Sequence, residues 1–253
     1  MPTDNRCGVL FDVDGTLVDT TYLHTVSWWE ALRQADHLVP MATIHRSIGM
    51  GSDKLLDHLL GPERDRDGDG KLRDAHDSLY AEYWERLTPL PRARELLRAC
   101  AGRGLRVVLA TSAAEHEVAA LRAVLDADDV VDSVTSSADA QQSKPAPDIL
   151  VAALEQSGLA AERVVFVGDS VWDVAAAGKL DIPCIGLTCG GTSRGELAGS
   201  GAVAVYDDPA ALLDGLADSA IAALTDPTRS VRAPRRAGAE VTGPTGDKTD
   251  AEA

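Results

Sequence analysis

Aromatic side chains are scarce, at 4% of the 253 residues, with only two phenylalanines. A core of ordinary size must then be filled by leucine, valine and alanine, and a hydrophobic content of 45% suffices for it. Positive charge is also in short supply. Lys and Arg number 24 against 40 Asp and Glu, a net charge of -16. That balance argues against nucleic acid or an anionic membrane as the main partner. It leaves room for a small anionic substrate, because a metal ion or a few placed cations reverse the field locally. Long apolar runs are missing, so no membrane span is expected. The first ten residues, MPTDNRCGVL, have neither a basic start nor an extended apolar segment, and no secretory signal is expected. Cysteine is sparse. Cys7, Cys100, Cys184 and Cys189 form no CxxC pair, which points to reduced thiols and a cytoplasmic protein.

What is present is a rhythm of short apolar runs, each ended by small or acidic residues. They begin at Val9, Arg106, Val131, Arg163, Pro183 and Gly201. None alternates strictly, as befits strands buried on both faces. Helical patterns separate them, starting near Pro91, Ala114, Ala146, Asp173 and Asp208. Alternation of this kind predicts a parallel sheet with helices on both faces. One region departs from it. Between Thr21 and Thr88 no strand is evident, and three segments, from Tyr22, Ser52 and Leu72, read as helices. The expected fold class is α/β, a Rossmann-like parallel-sheet core with an inserted all-helical cap domain. The expected division is core at 1–19, helical cap at 20–89, core again at 90–224, and a disordered tail at 225–253, where Pro, Gly, Thr and charge replace large apolar residues.

In a parallel α/β sheet, ligands bind where the strands end, near the switch in strand order. Asp12 and Asp14 follow the first strand, and Thr111 and Ser112 the second. Gly168, Asp169 and Asp173 follow the fourth, and Lys144 stands in SKPAPD ahead of it. Carboxylates gathered at one edge raise each other's pKa or require a cation. An oxygen-only set suits Mg²⁺. Pro145 is expected to hold Lys144 extended, and Pro147 to occupy the first turn of the next helix. Asp169 and Asp173, four apart, are expected on one helix face. A carboxylate can act as a nucleophile on phosphorus, and a second one two residues on can act as general acid and then base if its pKa is raised.

These stretches, DVDGT at Asp12, LATS ending in Thr111 and Ser112, SKPAPD at Lys144 and GDSVWD at Asp169, resemble the four motifs of the haloacid dehalogenase superfamily in order. The resemblance covers Val9 to Leu224. It is to the phosphoglycolate phosphatase and β-phosphoglucomutase-like subgroup, whose helical cap follows the first motif. HTVSWWEAL resembles the cap helix of that subgroup, with Ser27 in place of an alanine. The resemblance implies a Mg²⁺-dependent phosphatase of a small phosphorylated metabolite, working through an aspartyl-phosphate. Asp12 is then the nucleophile and Asp14 the acid/base. The metal is held by Asp12, the Asp14 carbonyl and Asp169, with Asp173, Ser112 and Gly168 in support. Thr111 and Lys144 hold the phosphoryl group. Asp14 sets the chain apart from the dehalogenases, which lack a carboxylate there.

Other readings compete. A hexose-phosphate mutase shares the first half-reaction. A receiver-like or degenerate binding module would use clustered aspartates without turnover. His24 and Arg46 are candidate substrate contacts from the cap, and Trp28 and Trp29 are expected to be cap packing. Asp19 is expected to cap or hinge the first cap helix. DRDGDG at Asp65 to Gly70 matches the opening of an EF-hand loop, but its twelfth position is His76 rather than Glu, so a solvated loop is expected there. A monomer and a homodimer both remain open.

Overall fold

The computed structural model of the chain describes residues 6–226. Most of the tail expected to be disordered, 227–253, lies outside the described residues. Six strands form one parallel sheet: β1 (Gly8–Phe11), β2 (Arg106–Ala110), β3 (Ser133–Thr135), β4 (Val164–Gly168), β5 (Cys184–Leu187) and β6 (Ala204–Tyr206). Their order is β3-β2-β1-β4-β5-β6. The first strand therefore lies inside the sheet, with Phe11 beside Leu109 on one side and Val167 on the other. Order reverses at β1, which is where a crevice opens in such sheets.

The absence of alternation has the expected cause. Val9 and Phe11 belong to one apolar layer and Leu10 to the other, so every β1 side chain is buried. The first layer is covered by α5 (Ala93–Ala101), α6 (Glu115–Leu125), α10 (Pro209–Asp214) and α11 (Ala220–Ala223). The second is covered by α7 (Asp148–Ser157), α8 (Val171–Gly178) and α9 (Arg194–Ser200).

Between β1 and β2 come α1 (Thr21–Gln34), α2 (Met41–Ser47), α3 (Ser52–Leu60) and α4 (Asp69–Ala81). They carry a separate apolar cluster of Trp28, Leu32, Ile44, Leu55, Leu56 and Leu72, with Trp29 packed against it. The chain leaves for this insertion and returns from it side by side. Asp19 N donates to Thr88 O at 3.1 Å and Leu90 N to Leu17 O at 2.8 Å. Asp19 thus sits at the crossing through its backbone, and the position capping α1 is Thr20.

Several elements differ from the sequence reading. Two seven-residue helices, α2 and α9, were not expected. The run from Leu72 ends as an α-helix at Ala81, and Trp84–Arg86 forms a separate 3-10 turn. The run from Asp208 breaks at Gly215, and Ser219 then caps α11 by accepting from Ile221 N. DRDGDG is only half a solvated loop. Asp65 and Asp67 are exposed, but Asp69 is buried as the first residue of α4. Arg64 bridges Asp69 and Asp57 at 2.7 Å each, so arginine balances these acids.

Candidate active site

Asp12 follows β1 directly, and its N–H continues the ladder to Val167 O at 2.9 Å. The chain then bends sharply. Leu17 N and Val18 N both donate to Val13 O, and Gly15 N donates to Val18 O. Gly15 has φ +74°, and a Cβ there would lie 2.6 Å from Asp169 Oδ2. Only glycine tolerates both conditions. The bend turns the Thr16 hydroxyl toward Asp169 Oδ1 at 3.1 Å and Asp12 Oδ2 at 3.4 Å.

Lys144 is fully buried, and its ammonium lies 2.6 Å from Asp12 Oδ1 and 2.7 Å from Asp173 Oδ1. Its position depends on a loop whose Lys144–Pro145 bond is cis, a feature the sequence reading did not include. Pro147 precedes α7 instead of lying in its first turn. The expected shared helix face of Asp169 and Asp173 is also corrected. Helix α8 starts at Val171, so Asp169 belongs to the loop and Asp173 to the first helical turn. They converge because Asp173 reaches back, accepting from Ser170 Oγ at 2.6 Å and Ser170 N at 3.1 Å. Gly168 makes room for it, since a Cβ at Gly168 would meet Asp173 Cβ at 2.6 Å.

Asp14 stands on the other side of the bend. Its Oδ1 accepts from Thr20 Oγ1 at 2.8 Å and faces His24 Nε2 at 3.4 Å. Its Oδ2 accepts from Thr111 Oγ1 at 3.3 Å. Asp12, Asp14, His24, Ser112 and Lys144 line one cavity of 390 Å³ between the sheet edge and the helical insertion. Arg46 does not reach it. The Arg46 guanidinium pairs with Glu196 at 2.5 Å and lines a different cavity. The family model for haloacid dehalogenase-like hydrolases matches residues 8–181, a span that includes all of these cleft residues.

The chain belongs to the haloacid dehalogenase-like hydrolase family. It is 33% identical over 222 residues to a phosphoglycolate phosphatase of Rhodospirillum rubrum, covering 82% of this chain and 90% of that one. It is 33% identical to a phosphoglycolate phosphatase of Escherichia coli K12, covering 72% of this chain and 81% of that one. The crystal structure of a hydrolase from Pseudomonas syringae superposes with a TM-score of 0.80 at 31% identity, covering 84% of this chain and 99% of that one.

The electrostatics of this haloacid dehalogenase-like hydrolase suit a bound cation. Oxygens of Asp12, Asp169 and Asp173, all buried, lie within 4.8 Å of one another. Burial pushes the Asp12 carboxyl up to about 7; Lys144 opposes this, and Asp173 and Asp14 add to it. Burial, with Asp173 and Asp12 adding to it, also holds Asp169 well above the usual carboxylate range. One ammonium does not balance three carboxylates in so small a volume. Asp173 commits its oxygens to Lys144 and Ser170, and Asp12 likewise faces Lys144 and Thr16. Asp14 departs from the raised pKa expected of an acid/base carboxyl. Burial works against its charge, but the His24 and Thr20 hydrogen bonds prevail and keep it below its ordinary value.

Thr16, Thr20, Arg73, His76 and Asp77 escaped sequence reasoning. Thr16 stood within the DVDGT stretch and carried that signal. Nothing in the sequence marked Thr20. His76 appeared only as the wrong residue in an EF-hand pattern, although it is buried and hydrogen-bonded to His24.

Proposed function

We propose that the metabolite this phosphatase acts on is 2-phosphoglycolate or a phosphomonoester of similar size and charge. The choice of 2-phosphoglycolate follows the relatives named phosphoglycolate phosphatase. The chemistry is carried by the contact of Lys144 Nζ with Asp12 Oδ1 at 2.6 Å, beside Asp169. It sets a nucleophilic carboxylate next to a fixed positive charge, with a second carboxyl across the cleft. Asp12 attacks phosphorus in line and forms an aspartyl-phosphate. Asp14, ionised in the free cleft, takes up a proton when the negatively charged phosphoryl group binds beside it. It gives that proton to the departing oxygen, then takes one from the water that hydrolyses the acyl phosphate. Thr111 and Lys144 hold phosphoryl oxygens, with Ser112 at the cleft edge. Mg²⁺ would be held by Asp12, Asp169 and the Asp14 carbonyl; bound there, it supplies positive charge to a phosphoryl group approaching an acidic cleft.

Residues 20–89 act as a cap that shields the reacting groups from water. Arg73 of α4 lines the cleft and is suited to an acid group at the far end of the substrate. The four free thiols support a cytoplasmic setting. The test is hydrolysis of 2-phosphoglycolate and of p-nitrophenyl phosphate with and without Mg²⁺. Turnover should require the metal and fall by at least about a thousandfold in Asp12→Asn. Arg73→Ala should raise KM for 2-phosphoglycolate about tenfold and leave that for the nitrophenyl ester unchanged. Interconversion of hexose phosphates with little phosphate release would favour a mutase. No turnover on any phosphomonoester would favour a binding module.

A further inference from the structure

Behind His24 a line of polar contacts runs through α4. His24 Nδ1 lies 3.2 Å from His76 Nε2, and His76 Nδ1 lies 2.9 Å from Asp77 Oδ1. The polarity of this line follows from its far end. A carboxylate only accepts, so His76 Nδ1 bears the proton that Asp77 receives. Burial disfavours the imidazolium form of His76 and pushes its pKa down to about 4. A neutral His76 has a bare Nε2, and that nitrogen must accept. The donor is then His24 Nδ1–H. For His24 Nε2 to donate to Asp14 as well, the ring carries both protons, the imidazolium form that the facing Asp14 carboxylate favours. Ring stacking fixes the same geometry. His24 lies against Tyr80 with centroids 3.9 Å apart, and His76 lies against Trp28 at 4.3 Å. A flipped His24 ring would forfeit the His76 contact.

The consequence falls on Asp14. Thr20 and His24 both engage its Oδ1, while Oδ2 is turned to Thr111. We propose that His76 and Asp77 are positioning residues for the acid/base step. Through His24 they hold Asp14 by Oδ1 and leave Oδ2 to the reacting group. The proposal rests on the reading of Asp14 as general acid and base. It does not require His76 or Asp77 to touch substrate. The arrangement matches the general rule that the second nitrogen of a working histidine is oriented by a partner, often a carboxylate. Here the carboxylate is one imidazole further away.

Two readouts test it. Long-range ¹H–¹⁵N spectra of the imidazoles should show His76 protonated at Nδ1 and bare at Nε2, with assignment from His76→Phe. In Asp77→Ala that preference should be lost, and the His24 signals should move with it. Kinetics should then separate two substrates. For 2-phosphoglycolate, whose alkoxide needs a proton to leave, kcat/KM should fall about tenfold or more in Asp77→Ala and in His76→Phe. For p-nitrophenyl phosphate, whose leaving group departs unaided, it should change by less than about threefold. The double variant should be no worse than the worse single one, because both act through His24. A wild-type His76 protonated at Nε2, an equal loss on both substrates, or no loss on either would overturn the proposal. Failure of the wild type to turn over any phosphomonoester would be the separate failure of the phosphatase reading, and the proposal would fall with it.

Discussion

Lys144 shows how much one side chain can hold in place. It is fully buried, yet it is charged, because Asp12 and Asp173 outweigh the penalty of burial. In Lys144→Met the two carboxylates would face each other with no cation between them. We expect that variant to lose about 3–5 kcal/mol by urea denaturation, the usual cost of breaking a buried pair. Asp12 gives a second expectation. With no cation bound, the folded protein keeps a proton on Asp12 up to about pH 7, whereas the unfolded chain releases it near 3.8. Stability should therefore fall as pH rises through that window, and a bound metal should replace the proton. Melting curves should show Mg²⁺ raising Tm more at pH 8 than at pH 5. His76 has the opposite sign. Its pKa is about 4 when folded against 6.5 when unfolded, so the unfolded state takes up the proton first as pH falls. His76 therefore favours the fold fully above pH 6.5, and on the order of 3 kcal/mol of that is lost by pH 4. Comparing wild type with His76→Phe across that range reads this loss together with the change in His24, which His76 contacts.

At the scale of elements, what was legible in the sequence follows physical rules. All six strands were readable. The four inner ones were so because a strand buried on both faces must be a short apolar run. The half-exposed edge strands β3 and β6 were so because their small and β-branched residues sit between turn signals. The loops after β1, β2 and β4 were readable because their polar residues interrupt that apolarity at the place where parallel sheets bind ligands. Helix α2 was not, since MATIHRS is too short to display a period. Helix α9 could have been found, because Ser193 and Glu196 form a capping box that its sequence announces. The placement of Arg46 was not legible. Spacing gives the face of a helix but not the neighbour that face meets, and here the neighbour is α9. The Arg46–Glu196 pair is exposed, so Arg46→Ala should change stability by less than about 1 kcal/mol in denaturant titrations. The line from Asp14 to Asp77 was equally hidden, because it joins three elements across a fold that no local pattern encodes.

Across the whole molecule, the net charge of -16 opposes the approach of an anionic phosphoester. Screening should relieve that opposition. We expect kcat/KM for 2-phosphoglycolate, at fixed free Mg²⁺, to rise with added KCl from low to physiological ionic strength. A fall would mean that the local field of the cleft governs encounter instead. The topology has a further consequence, in time. Strand β1 begins at Gly8, but its neighbour β4 begins only at Val164. At ribosomal speeds the interval between them takes roughly 8 to 30 seconds to synthesise. Through that delay the nascent chain carries Asp12 at the end of a strand with one flank unpaired. The helical insertion, with an apolar cluster of its own, emerges during the wait. The insertion is thus complete before Lys144, β4 and Asp169 have been made, and the cleft can be assembled only late in synthesis.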